Sequence, residues 1–216
     1  MHIPDGYLGP ASCGVFYAVM VPIWALASKI VKKTLKAKQV PMLAIGAAFS
    51  FIVMLFDIPV LGGSTAHATG AVLIAVLLGP WASCICITVT LIIQAFLFGD
   101  GGITALGANS FNMAFVEVFS GYYIYRLVSF RSSLKSGRRV LAAGIGAYIG
   151  ITIAAFLTGL ELGLQKGSHS PYGIKESVLV MTGVSIFAFG LIEAGVTVMA
   201  VKYLQGREGY FEIKTS

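Results

Sequence analysis

The chain opens MHIPDG, and the first two residues carry a chemistry that depends on their being first. The α-amine of Met1, the amide nitrogen of His2 once it has lost its proton, and Nδ1 of the His2 ring can hold one ion in fused five- and six-membered chelate rings. The three nitrogens then lie nearly in a plane, with one corner of a square left over. A single further imidazole closes it. His67 fits, because it opens an apolar run, whereas His169 sits in the charged loop QKGSHSPYG and fits a solvated role. Square-planar nitrogen ligation suits Ni(II) or Cu(II), while Zn(II) prefers a tetrahedron and Mg(II) or Ca(II) prefers oxygens. Deprotonating a backbone amide is costly, and these d-electron metals can offset it. The scheme also requires a retained, deformylated Met1, which the large second residue favours by discouraging aminopeptidase cleavage.

Such a chelate must be held by a scaffold, and composition says what kind. Of 216 residues, 57% are hydrophobic and 11% charged, with a mean hydropathy of +0.87, which marks an integral membrane protein. Seven apolar runs fit transmembrane helices, near Ala11–Val31, Pro41–Asp57, His67–Gly79, Trp81–Phe98, Asn109–Val128, Val140–Leu160 and Ser177–Leu204. The third is short, and Gly79-Pro80 makes it and the fourth either one broken unit or, with less special pleading, a hairpin. The runs are continuous rather than alternating, which disfavours a β-barrel. The expectation is an all-α protein, a single transmembrane domain over 1–216 with a metal-binding segment at 1–10 and a cytoplasmic tail at 205–216.

Basic residues orient the bundle. Lys29, Lys32, Lys33, Lys36 and Lys38, then Arg126, Arg131, Lys135, Arg138 and Arg139, then Lys202, Arg207 and Lys214 fall on one side, with Lys166 and Lys175 on the other. The positive-inside rule puts the N-terminus outside and the C-terminus in the cytoplasm of a prokaryotic cell. The basic pI follows from these loops and calls for no nucleic-acid partner. On the outer side, DIPVLGGSTAHATG and FGDGGITALGANSFN are rich in Gly, Ser, Thr, Asn and Asp. Irregular polar backbone at membrane depth needs a protein-lined cavity, so these turns are expected to meet the tail, bringing His2, His67, Asp5, Asp57, Asp100, Asn109 and Asn112 to one pocket. Asp5 fits a turn former or a holder of an imidazole N–H. Ser64, Gln94, Asn109 and Asn112 fit positioning of the tail or helix joining, with Asn109 first because it opens its helix. Glu117 and Glu193 are ionisable groups inside spans, functional by default; Glu193 is placed towards the cytoplasmic half, where it could meet a partner subunit. Cys13, Cys84 and Cys86 read as apolar helix residues. Gly146-x-x-x-Gly150 and the stripe Ala18, Pro22, Ala25 are expected to pack within the molecule, with docking of a partner subunit on one of them the alternative.

Several of these segments together resemble a known family. MHIPDGYL at 1–8, GGSTAHATGAVLIAVLLGPW at 62–81, QAFLFGDGGITALGANSFNMA at 94–114, GYYIYR at 121–126 and, more weakly, IEAGVT at 192–197 are similar to the CbiM/NikM substrate-binding components of energy-coupling-factor transporters for cobalt and nickel, most of all the nickel-binding kind. The resemblance implies a six-helix core with an extra N-terminal helix, and a tail folded back into it. It implies a metal held by the Met1 amine, the His2 amide and imidazole, and His67, carried as substrate rather than kept as cofactor. It also implies a membrane coupling subunit, two ATPases and a small accessory membrane protein of the NikN/CbiN type, expected here as a separate chain.

Other functions fit less well. Asp57, Ser64 and His67 hold the members of a nucleophilic triad, yet Ser64 and His67 are three residues apart in a turn, with no nucleophile elbow. The sequence contains no GxxxxGK[ST] phosphate loop, so ATP hydrolysis belongs to other subunits. A cobalt-specific component of the same family stays open, since one nitrogen set accepts either ion. A self-sufficient secondary transporter also stays open, although no internal repeat supports it.

Overall fold

The computed structural model describes residues 1–35, 39–60 and 64–207. Lys36, Lys38, Lys214, the Gly62-Gly63 start of one motif and most of the 205–216 tail lie outside the described residues. The rest is mostly helical: α1 (Pro10–Thr34), α2 (Val40–Met54), α3 (Ala71–Leu78), α4 (Pro80–Phe98), α5 (residues 106–128), α6 (Gly137–Leu164) and α7 (Ile174–Gln205). These fall on the expected apolar runs. Four of them, α1, α4, α6 and α7, have the length and hydropathy to cross a bilayer. The surface they present is apolar, with Val15, Leu97, Leu141 and Phe187 among its exposed side chains. The protein is a multi-pass membrane protein.

Local sequence explains the helix ends. Pro10 begins α1 at the first-turn position where a missing N–H leaves nothing unsatisfied, and Lys32 and Lys33 sit in its last turn against the carbonyl end. At Gly79 the backbone has φ +93°, which a side chain would resist, and Pro80 then starts α4. The two helices fold back on each other there, since the Ser83 hydroxyl donates to the Ala71 carbonyl at 2.7 Å across the turn. The hairpin reading of Gly79-Pro80 therefore holds. The short α3 is wrapped in protein, with residues 71–76 all buried.

The two expectations about small-residue packing have opposite outcomes. Ala18, Pro22 and Ala25 all face outward; the buried stripe of α1 is Cys13, Met20 and Ala27, a seven-residue repeat that a lone helix uses to lie on its neighbours. By contrast Gly146 and Gly150 do serve an internal crossing, where α6 meets Gly121 of α5. A Cβ at Gly150 would come within 2.8 Å of the Glu117 carbonyl oxygen. Helix α6 is the centre of the bundle, packed on both α5 and α7.

One element was not anticipated. Residues 58–60 and 64–66 pair as a two-stranded antiparallel ribbon, β1 (Ile58–Val60) with β2 (Ser64–Ala66), in the register Ile58 to Ala66 and Val60 to Ser64. Helix windings also widen by one residue at 94–98, 110–117 and 185–189, inside α4, α5 and α7. Such π turns insert a residue without ending the helix and recur at functional sites.

Candidate metal centre

The tail before α1 runs into the protein rather than along its surface. Met1 is 2% exposed, His2 1% and Ile3 0%. Buried backbone needs partners, and the tail finds them from three directions. From β2, the Ser64 hydroxyl donates to the His2 carbonyl at 2.8 Å. From the start of α5, Asn109 accepts from the Ile3 amide at 2.8 Å and donates to the Ile3 carbonyl at 3.1 Å. From the loop between α4 and α5, the Gly102 amide donates to the same carbonyl at 2.8 Å. Further along, the Asp5 carboxylate accepts from the Ile103 amide at 3.1 Å, the Thr104 amide at 2.8 Å and the Thr104 hydroxyl. Slight burial alone would raise the Asp5 carboxyl, but these bonds outweigh it and hold it below its ordinary value. Asp5 thus ties the tail to the segment leading into α5; it does not touch an imidazole.

The ends of this tail and of β2 meet in a nitrogen-rich cluster. The Met1 nitrogen, the His2 amide nitrogen and His2 Nδ1 lie 3.5, 3.3 and 3.4 Å from one atom, Thr65 Oγ1. His2 Nδ1 is also 3.0 Å from Asp100 Oδ1. Burial alone would raise the Asp100 carboxyl, and the hydrogen bond from His2 more than reverses that. The His67 ring is stacked on the His2 ring at 4.5 Å between centroids and 24° between planes. His67 is fully buried and its Nδ1 lies 3.0 Å from the Ala68 carbonyl. A carbonyl only accepts, so Nδ1 carries the proton and the Nε2 lone pair is the one available for ligation. Nε2 of His67 has no hydrogen-bond partner among the described residues.

Not every residue expected beside the tail is there. Asn112 donates instead to Thr158 at 3.2 Å and Glu161 at 2.8 Å on α6, so it joins helices. Gln94 is buried at the start of the π turn in α4, and its side chain makes no bond to the tail among the described residues. Glu193 is not on a docking face: it is 1% exposed, and its carboxylate accepts the Thr69 and Gly70 amides at 2.7 and 3.1 Å, capping the N-terminus of α3. The Thr69 hydroxyl in turn donates to Glu117. A hydrolytic triad is not assembled, since Ser64 is engaged with the His2 carbonyl and His67 Nδ1 with Ala68. His169 is exposed in the loop between α6 and α7, near Gly9 and Gln165. Among the described residues no cluster of three or more His, Cys, Asp or Glu side chains is grouped as a metal cage would need.

Thr65 escaped sequence reasoning. Its signal is positional: it lies within β2, two residues before His67.

Comparison with known proteins identifies the family and the fold. Residues 2–209 match the family model CbiM, described as a cobalt uptake substrate-specific transmembrane region. The chain is 46% identical to a putative metal transport protein of Methanocaldococcus jannaschii, covering 95% of this chain and 91% of that one. It is 43% identical to the probable fused nickel transport protein LarMN of Lactiplantibacillus plantarum and 42% identical to the fused nickel transport protein NikMN of Rhodobacter capsulatus, over 95% of this chain in each case. It spans only 64% and 62% of the lengths of those two fused proteins. A crystal structure of a truncated transition metal transporter superposes with a TM-score of 0.90 at 49% identity, covering 95% of this chain and 99% of that one.

Proposed function

The chain belongs to the CbiM family, and on that premise we propose that it is the metal-binding component of an ATP-driven nickel importer, capturing Ni(II) on the outer face of the cell membrane. The ligands are the Met1 amine, the His2 amide nitrogen, His2 Nδ1 and His67 Nε2. The observation that carries this reading is a chain terminus 2% exposed, buried beside two imidazoles. A terminal ammonium is strongly hydrated, and burying it without a use for its nitrogen is unfavourable.

Ligation sets three demands on the residues. The amine must be neutral, the His2 amide must lose its proton, and Nδ1 must exchange its bond with Asp100 for the ion, so capture releases protons. One of the stacked rings must also turn, because a square plane takes the His67 lone pair edge-on. Ser64, Asn109 and Asp5 hold the tail in register while this happens. Residues 1–10 act as ligand and plug together, and release inward requires the tail or the β2–α3 connection to shift.

Energy for that shift comes from partners. The sequence has no phosphate loop, so a membrane coupling subunit and two ATPases are proposed to act from the cytoplasmic side. The fused names of two relatives support a NikN-type accessory component as well. Nickel is preferred over cobalt because a nitrogen square suits d8 Ni(II) and because those relatives are named for nickel.

The test compares Ni(II) binding by protein shown by intact mass to begin at a free Met1 with protein carrying one added N-terminal alanine. Loss of binding and of a yellow square-planar absorption band on extension is the expected result. Undiminished binding by the extended protein would place the metal elsewhere.

A further inference from the structure

Three candidate ligand nitrogens are nearly equidistant from Thr65 Oγ1, at 3.5, 3.3 and 3.4 Å. Points equidistant from three corners of a square lie on one line, the normal through its centre. In a square-planar complex that line is the axis of the metal. We propose that the Thr65 hydroxyl is the apical oxygen of this site and determines how well it accepts an ion that takes a fifth ligand. The inference rests on the Met1–His2 chelate proposed above and goes one atom beyond it.

The height of the oxygen follows from the same distances. With metal–nitrogen bonds of about 2 Å, an oxygen about 3.4 Å from each nitrogen stands roughly 2.7 Å above the ion. A metal–oxygen bond is about 2.0–2.2 Å, so the hydroxyl is an apical contact that becomes a bond only if it moves inward by about half an ångström. Low-spin d8 Ni(II) has a filled orbital along that axis and gains nothing from the approach. Co(II), with one electron fewer, has that orbital half-filled in a nitrogen square and gains from one axial donor. Thr65 is well placed to supply it: β2 is paired to β1 opposite Pro59, and the flanking Ser64 is fastened to the His2 carbonyl. The hydroxyl is therefore carried by the same strand that holds the chelate.

The test titrates Ni(II) and Co(II) separately into native-start protein and into Thr65→Val and Thr65→Ser variants. Valine keeps the shape and removes the oxygen; serine keeps the oxygen. Thr65 also contacts the tail nitrogens directly, so both affinities can fall together in the valine variant, and the ratio is the informative quantity. The expected result is that Thr65→Val weakens Co(II) about tenfold more than Ni(II), a contact of hydrogen-bond strength. Thr65→Ser should hold the wild-type ratio, and the Ni(II) square-planar band should persist in all three proteins. An unchanged ratio in Thr65→Val, with Ni(II) still bound through the terminus, would overturn the apical role and leave the chelate standing. Failure of the unsubstituted protein to bind either ion, or binding indifferent to an added N-terminal alanine, would instead sink the chelate itself.

Discussion

Replacing Asn109 by alanine isolates the hold that α5 has on the tail. Its side chain pairs with both main-chain groups of Ile3, 106 positions away, in the way a neighbouring strand would. In Asn109→Ala the Ile3 amide is buried with no acceptor, which costs about 1–3 kcal/mol. The Ile3 carbonyl keeps the Gly102 amide, so the second lost bond costs only about 0.5–1.5 kcal/mol. Together these weaken docking of the tail by about 1.5–4.5 kcal/mol, or roughly 10- to 1,600-fold in the equilibrium between docked and undocked forms. The Gly102 amide is the reporter, because its bond to Ile3 breaks when the tail leaves and it does not touch the substituted residue. Its hydrogen exchange should accelerate by that factor, while amides in the middle of α6 exchange as before. Asn109→Asp, which keeps an acceptor for Ile3, should fall between. Acceleration at Gly102 of less than about threefold, with α6 unchanged, would refute the claim that this pair holds the tail.

Other outcomes follow from the same contacts. The Asp5 carboxyl is held below 3.8 by its bonds to Ile103 and Thr104, so its contribution to docking is complete above that pH and is lost as pH falls through the lowered value. Exchange at the Thr104 amide, corrected for the intrinsic effect of pH, should therefore rise in acid for wild type, and an Asp5→Asn variant should lack that dependence. Glu193→Ala strands the Thr69 and Gly70 amides and should cost roughly 2–6 kcal/mol, seen as a fall in thermal midpoint, whereas Glu193→Gln keeps an acceptor and should cost less. Equal stability of the two variants would mean the cap is unimportant. Gly150→Ala places a methyl against the Glu117 carbonyl at the α5–α6 crossing and should destabilise by about 1–3 kcal/mol in a thermal-shift assay; an unchanged midpoint would show that the helices separate easily.

Much of the scaffold was legible because apolar runs and helix punctuation are local. Pro10, the Gly79-Pro80 break and Gly146-x-x-x-Gly150 each act through neighbours a few residues away or through a single flat contact. The meeting of the Met1–His2 tail with His67 was legible because the tail's donor nitrogens lie within two residues. What stayed hidden depends on distant partners. Glu193 reads as a lone acid in an apolar helix until Thr69, 124 residues away, is seen bonded to it. Asn112 looks equivalent to Asn109 by spacing, and only the position of Glu161 on α6 turns it from the tail. Alternating polarity is weak in so short a ribbon as β1–β2, so Thr65 carried no pattern of its own.

The clamp on Thr69 has a consequence for how the two halves of the cluster share the work. Two residues beyond His67, Thr69 is gripped by carboxylates from α5 and α7 at once, and α5 is locked to α6 by backbone contact at Gly121. One imidazole is thus mounted on the frame of the molecule. The other is on the tail before α1, tied by side-chain hydrogen bonds and one main-chain bond. Such a site behaves as a clasp with a fixed eye and a loose hook, and its opening is set by the strength of the hook's fastenings rather than by the stability of the fold.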